Sequence, residues 1–230
     1  MKQAKAYHVV GLTATPIRRD GHHPIIFMQC GPIRHSAKHP ENAPTNLQVI
    51  PRYLETLGLP FEGGIQKVFQ ALTEDEERNQ CILQDIHHAY SEGRKLLILT
   101  ERTGHLDWLS ARIDKELENC FVLHGRMSKK QRGVIHEQLA ALDDAAPRVL
   151  LATGKLVGEG FDHPPLDTLF LAMPISWKGT LQQYAGRLHR AHILKEVVQI
   201  YDYVELNHPQ LARMWEKRQR GYRAMGYQVG

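Results

Sequence analysis

Residues Lys95-Leu96-Leu97-Ile98-Leu99-Thr100, "KLLILT", form a short unbroken apolar run closed by a polar residue. Six residues are too few for a buried helix, and no polar residue alternates with the apolar ones. The run predicts a strand buried on both faces, as in a parallel sheet covered by helices. The pattern recurs at 121–123, at Arg148–Thr153 ("RVLLAT"), at 166–172 after the Pro164-Pro165 break, and at 197–204. Helical periods lie between these runs. Thr103 opens one whose Leu106, Leu109, Ile113 and Leu117 share a face. Ser128 with Gln131 three places on makes a capping box, ahead of Ile135, Leu139 and Leu142. Thr180 with Gln183 makes another, and Pro209–Ala224 reads as a final helix. Upstream, a helix over roughly 66–91 breaks near Thr73, with Glu76 completing a box. Strand and helix alternating at this spacing predict an α/β fold: an open, mostly parallel sheet with helices on both faces.

The first part of the chain reads differently. Residues 7–12 predict a buried strand that ends in a polar loop, and 25–28 predict another short strand. From 31 to 60 there are many Pro, His and Asn residues and no sustained period, with one candidate strand at 47–50. This is where a crossover between units is expected.

Composition narrows the function. The chain has 230 residues, 42% of them hydrophobic, enough to bury a core. No apolar run is long enough to span a bilayer, and the N-terminus lacks a secretory pattern. Cys30, Cys81 and Cys120 have no CxxC spacing and read as reduced thiols in a cytoplasmic protein. His22, His23, Cys30, His35 and His39 crowd one segment but match no standard zinc spacing, so no metal site is expected. The net charge is +4. Between Arg187 and Arg223 eight basic residues face four acidic ones, which suits a nucleic-acid surface and equally a solvated helical face.

Two stretches carry chemistry. In Gln182–Arg190, "QQYAGRLHR", a helix would place Leu181, Tyr184, Ala185 and Leu188 on an apolar stripe. Gln183, Arg187 and Arg190 would make a second stripe, with Gly186 beside it leaving room for close approach. Read alone, the same residues fit a pair of surface arginines on an amphipathic helix. In Gly158-Glu159-Gly160-Phe161-Asp162, two glycines surround a carboxylate just after a buried strand, which alone also fits a structural turn.

Taken in order, these stretches resemble superfamily 2 helicases, which pair two RecA-like domains. Leu12-Thr13-Ala14-Thr15-Pro16 looks like motif III, and Leu97–Arg102 looks like motif IV. Ala152–Asp162 looks like motif V, and Gln183-x-x-Gly186-Arg187-x-x-Arg190 looks like motif VI. The branch it is most similar to is the DEAD/DEAH-box type seen in DNA repair helicases and type III restriction subunits. The resemblance implies a domain boundary near 45: residues 1–45 would hold the tail of the first RecA-like domain, and 46–230 the C-terminal one.

It also implies roles. Arg187 and Arg190 become arginine fingers for the γ-phosphate of ATP, because a planar guanidinium neutralises charge spread over phosphoryl oxygens. Gln183 orients them. Gly158, Glu159, Gly160, Asp162 and Gly186 line the nucleotide cleft. Thr100, Arg102, His124, Gly125, Arg126, Thr153, Gly154 and Lys155 face nucleic acid, and Thr13 and Thr15 couple the two sites. DNA is the implied partner ahead of RNA.

One thing is absent. A phosphate cradle needs G-x-x-x-x-G-K-[ST]. At Gly154-Lys155 the required hydroxyl is replaced by Leu156, and the first glycine by Val149. No acidic metal-binding box follows a buried strand. The expectation is therefore the C-terminal half of a helicase that shares ATP and Mg²⁺ with a first RecA-like domain. Alone it would hold neither tightly and would not hydrolyse ATP. The rival expectation is a non-catalytic nucleic-acid-binding or regulatory module that docks on a partner. An unrelated doubly wound nucleotide-binding domain would need a glycine-rich first βα turn, which is not found.

Overall fold

The structure is a computed structural model and describes residues 7–13, 21, 23–36, 44–113, 117–154, 162–175 and 178–230, with nothing said of the side chains of 178 and 179. Its centre is a seven-stranded sheet. In chain order the strands are β1 (Asn46–Leu54), β2 (Lys95–Thr100), β3 (Cys120–Leu123), β4 (Arg148–Thr153), β5 (Thr168–Leu171), β6 (Val197–Glu205) and β7 (Gln228–Val229). In space the order is β3-β4-β2-β5-β6-β1-β7. Every neighbouring pair is parallel. The expected α/β architecture is present, and "KLLILT" and "RVLLAT" are strands over their full predicted lengths.

Successive side chains of a strand point to opposite faces, so each apolar run feeds two cores. Leu97, Leu99, Leu150, Ala152, Leu169 and Leu171 face one way. They pack under α5 (Lys129–Ala141), α6 (Lys178–Leu188) and α7 (Pro209–Ala224). Leu96, Ile98, Val149, Leu151 and Phe170 face the other way, under α3 (Glu76–Ser91) and α4 (Thr103–Ile113). A third cluster beside α2 (Ile65–Glu74) joins Val68, Phe69 and Leu72 to Met173, Leu211 and Met214.

Local signals were partly overridden. Ser128 and Gln131 form the capping box read from the sequence. The break in the upstream helix falls at Asp75, whose carboxylate accepts from the Arg78 N–H at 2.6 Å, and Thr73 instead donates to the Gln70 carbonyl. A carboxylate at an N-cap outbids a hydroxyl two residues earlier. The Thr180 box does not form, because α6 already begins at Lys178. The short strand read at 25–28 is instead helical, within α1 (His23–Cys30). Residues 7–12 are not a buried strand: Tyr7, Val10 and Leu12 are exposed, with no sheet partner among the described residues.

Buried polar groups bind helices to the sheet on both faces. On one face Arg218 of α7 grips Asp202 of β6 through two bonds of 2.7 and 3.0 Å, and Tyr222 donates to the same carboxylate at 2.7 Å. The remaining Arg218 nitrogen donates to the Ile175 carbonyl, on the segment leading into α6. Both charges are buried, so removing either partner alone costs about 3–5 kcal/mol. On the other face His105 of α4 sits between the Thr100 hydroxyl at 3.1 Å and Asn79 Oδ1 at 2.9 Å.

Burial, with the nearby Arg78 charge, lowers the His105 pKa to about 3. The folded chain therefore keeps this imidazole neutral while the unfolded chain protonates it below about pH 6.5. Stability at this site is present above that pH and is lost as pH falls. Urea unfolding at pH 7 and pH 5 should show a loss larger in the parent than in His105→Gln by about 2 kcal/mol. Equal losses in the two proteins would show that the imidazole is not held neutral.

Candidate functional site

The sheet has two rims. Its carboxyl edge lies beyond Thr100, Leu123, Thr153 and Leu171, and its amino edge lies before Lys95, Arg148, Thr168 and Val197. Because β5 and β6 are parallel, α6 must carry the chain back from the first rim to the second.

At the amino edge the loop preceding β5 meets the end of α6. The apolar stripe of α6 is buried as read: Leu181, Tyr184, Ala185 and Leu188 are all 5% exposed or less. The helix stops at Leu188, so Arg190 belongs to the following turn and not to a helical stripe. Its Nε donates to Asp162 Oδ1 at 3.2 Å, and both side chains are about half exposed, at 54% and 45%. Arg187 is half-buried, and its Nε is buried with no hydrogen-bond partner among the described residues. Gln183 is exposed one turn earlier. A methyl group built on Gly186 would meet no described atom within 4 Å, so the helix has open space there. The structure thus brings Asp162 to Arg190 at a solvent-facing rim, and Arg187, three residues earlier, keeps a buried guanidinium nitrogen without a hydrogen-bond partner among the described residues. Gly158, Glu159, Gly160, Lys155 and Thr15 lie outside the described residues. Thr13 is exposed.

Lys195 was not singled out in the sequence. It is 8% exposed, and its ammonium donates to the carbonyls of Pro164, Leu188 and Arg190 at 2.5, 3.0 and 2.9 Å. Burial lowers its pKa to about 8, against the opposing pull of Asp167 and Asp162. The only trace in "HILKEVV" is a lysine set in an apolar run ahead of a strand. Arg94 completes the rim by bonding Thr168, Asp167 and the Val197 carbonyl, which joins β2, β5 and β6.

At the carboxyl edge Gly154 follows β4 and is buried against Tyr184 of α6. A Cβ on Gly154 would stand 1.9 Å from the Tyr184 hydroxyl oxygen, so only glycine fits. Burial, with a contribution from the Glu101 charge, pushes the Tyr184 phenol up to about 12. Thr153 is half-buried. Thr100 is buried, and its hydroxyl is turned inward to His105. The Arg102 guanidinium bonds the backbone and side-chain oxygens of Gln66 on α2. Gly125 and Arg126 are exposed, and His124 is half-buried. The Arg126 guanidinium reaches the Thr103 hydroxyl at 3.4 Å. Arg102 and Arg126 therefore both lie along this rim.

Among the described residues no three His, Cys, Asp or Glu side chains come together as a metal site. No described helix is long and apolar enough to cross a membrane.

Comparison with known proteins bears on the family and the fold. Residues 77–192 match the family described as helicase conserved C-terminal domain. A mimivirus protein named "Putative ATP-dependent RNA helicase L396" is 23% identical over 234 residues, covering 96% of this chain and 43% of that protein. "Uncharacterized protein 108L" of Invertebrate iridescent virus 3 is 35% identical over 86 residues, covering 37% of this chain and 78% of that protein. The crystal structure of T4 UvsW superposes with a TM-score of 0.61 at 17% identity, over 80% of this chain and 41% of that one. This likeness concerns the fold. The chain thus spans less than half the length of the mimivirus protein it matches.

The contact between Gly154 and Tyr184 can be tested by itself. Gly154→Ala should destabilise the chain by about 1–3 kcal/mol through overpacking. In a Tyr184→Ala background the same change should cost less than about 1 kcal/mol, which is the non-additivity of touching residues. Urea melts of the four proteins check it, and strictly additive losses would rule the contact out.

Proposed function

This chain belongs to the helicase conserved C-terminal domain family, and from that premise we propose that it forms one wall of a composite ATP site and part of a nucleic-acid track in a superfamily 2 helicase or translocase. The observation that carries the reading is the half-exposed Asp162–Arg190 pair with Arg187 three residues earlier. It joins the ends of motifs V and VI at a rim with open space over Gly186.

In this reading Arg187 and Arg190 neutralise the charge that develops on the transferred phosphoryl group. Gln183 orients them by hydrogen bonding. Asp162 holds Arg190 in place until a phosphate competes for it, and Glu159 accepts from the ribose. Gly158, Gly160 and Gly186 keep the approach clear. The phosphate cradle and the carboxylates for Mg²⁺ come from a second RecA-like domain, because this sequence contains no P-loop pattern. Ile193 and Leu194, exposed beside Arg190, suit a wall that another domain covers. Nucleic acid runs along the opposite rim, past Arg102, Arg126, His124, Gly125, Thr153, Gly154 and Lys155, with Thr100 buried beneath it. Arginines there hold phosphates without reading sequence. Thr13 and Thr15 couple the two sites. DNA is the polymer in this reading. The name of the mimivirus relative supports RNA instead, and competition between the two polymers decides.

The test joins this chain to a P-loop-bearing RecA-like domain and measures nucleic-acid-stimulated ATP hydrolysis. Arg187→Ala and Arg190→Ala should each lower kcat by about 10³–10⁵ with nucleic-acid affinity retained. The chain alone should show no turnover. Turnover by the chain alone would overturn the composite site, and a joined protein indifferent to both substitutions would leave only a binding module. That module would be recognised by salt-dependent nucleic-acid affinity uncoupled from ATP.

A further inference from the structure

The amino-edge rim contains a buried cation whose role the nucleotide reading does not include. An ammonium has three N–H donors, and Lys195 matches each to one carbonyl: Pro164, Leu188 and Arg190. One of these acceptors ends α6, and a second, Arg190, lies in the turn just beyond it. Leu188 is its last residue, and the final carbonyls of a helix lack partners inside it. Helices often resolve this with a glycine just beyond the end. Here His189-Arg190-Ala191 follows, with no glycine, and a lysine from the next turn does the capping. Cations are favoured at that pole of a helix.

The third acceptor shows that more than capping is involved. Pro164 stands two residues after Asp162, and Asp162 is the carboxylate that holds Arg190. The contacts close a ring. Lys195 binds the backbone of Arg190 on one side and the backbone beside Asp162 on the other, and the Arg190 and Asp162 side chains join across it. We propose that Lys195 is a positioning residue, fixing the backbones of Asp162 and Arg190 so that the Arg190 guanidinium is presented at one distance and angle to a phosphoryl group. The proposal rests on the reading that Arg190 faces ATP, but its structural half stands without that reading.

Several charged groups face the site. Asp162 and Asp167 favour the ammonium. Arg190 is paired to Asp162, and Arg94 to Asp167. His192 and Glu196 are neighbours in the chain, and His192 pairs with Asp144. With a pKa lowered to about 8 by burial, the ammonium loses a proton just above physiological pH. The neutral amine has two hydrogens and a lone pair, so one of the three carbonyls loses its donor and the ring loosens. Raising the pH through 8 therefore releases Arg190, and lowering it restores the clamp.

The experiment has two arms. In the 230-residue chain, the Nε–Hε resonance of Arg190 and the side-chain resonances of Lys195 are followed by NMR from pH 6.5 to 9.5. The Arg190 signal should shift with the Lys195 midpoint, and in Lys195→Met it should take the released position at every pH. An Arg190 signal that stays fixed while Lys195 titrates overturns the proposal, and this measurement needs no variant to fold. In the protein joined to a P-loop domain, Lys195→Met should lower kcat about tenfold or more with the KM for ATP within about threefold. Lys195→Arg should restore part of kcat and move the alkaline limb of the pH profile upward, because a guanidinium stays charged. An unchanged kcat in Lys195→Met overturns the proposal. If instead Arg190→Ala leaves kcat unchanged, the nucleotide reading fails, and the NMR arm still decides whether Lys195 sets the Arg190 geometry.

Discussion

Every neighbouring pair in this sheet is parallel, and the placement of the chemistry follows from that constraint. A parallel strand cannot be joined to the next by a hairpin, so each connection must climb back over a face of the sheet. The loops that leave β2, β3 and β4 are fixed at the carboxyl rim. Whatever the return helix α6 carries at its far end is delivered to the amino rim. Arg102, Arg126 and Gly154 therefore stand at one edge and Asp162, Arg187 and Arg190 toward the other. At about 1.5 Å per residue, the eleven residues of α6 separate its two ends by roughly 16 Å. Tyr184 lies midway and touches Gly154, so the helix that carries the arginines is braced against the loop at the opposite rim.

The fold was legible wherever the signal was burial. Two-sided burial requires a continuous apolar run, which is why Lys95–Thr100 and Arg148–Thr153 could be read to the residue. It was less legible where two local signals competed. Asp75 and Thr73 both offered to cap a helix, and only their geometry in space decides between them. The apolar stretch around Ile25–Met28 has no period long enough to separate strand from helix. The exposed segment 7–12 has the composition of a core strand with nothing described to cover it, so pattern and burial part company there.

The site was legible as residue types and not as contacts. Arg187, Arg190 and Asp162 were named from the resemblance to motifs V and VI, while their spacing alone left a surface arginine pair and a structural turn open. That Arg190 leaves the helix was hidden, since nothing in "GRLHR" marks a stop. The end is capped by Lys195, whose partners are three backbone carbonyls, and a carbonyl has no letter in the sequence. Gly154 was visible as a glycine, but its reason, a tyrosine oxygen thirty residues later in the chain, was not.

The Asp202 carboxylate has a consequence for how this chain is made. It lies near the middle of β6, yet both groups that neutralise and bond it, Arg218 and Tyr222, come from sixteen and twenty residues later. A ribosome releases the carboxylate before its partners. Until α7 has emerged, burying β6 between its neighbours means burying a lone negative charge. Closing the middle of the sheet before that point carries the cost of an unpaired buried carboxylate, so the emergence of α7 is the step that lets the core seal.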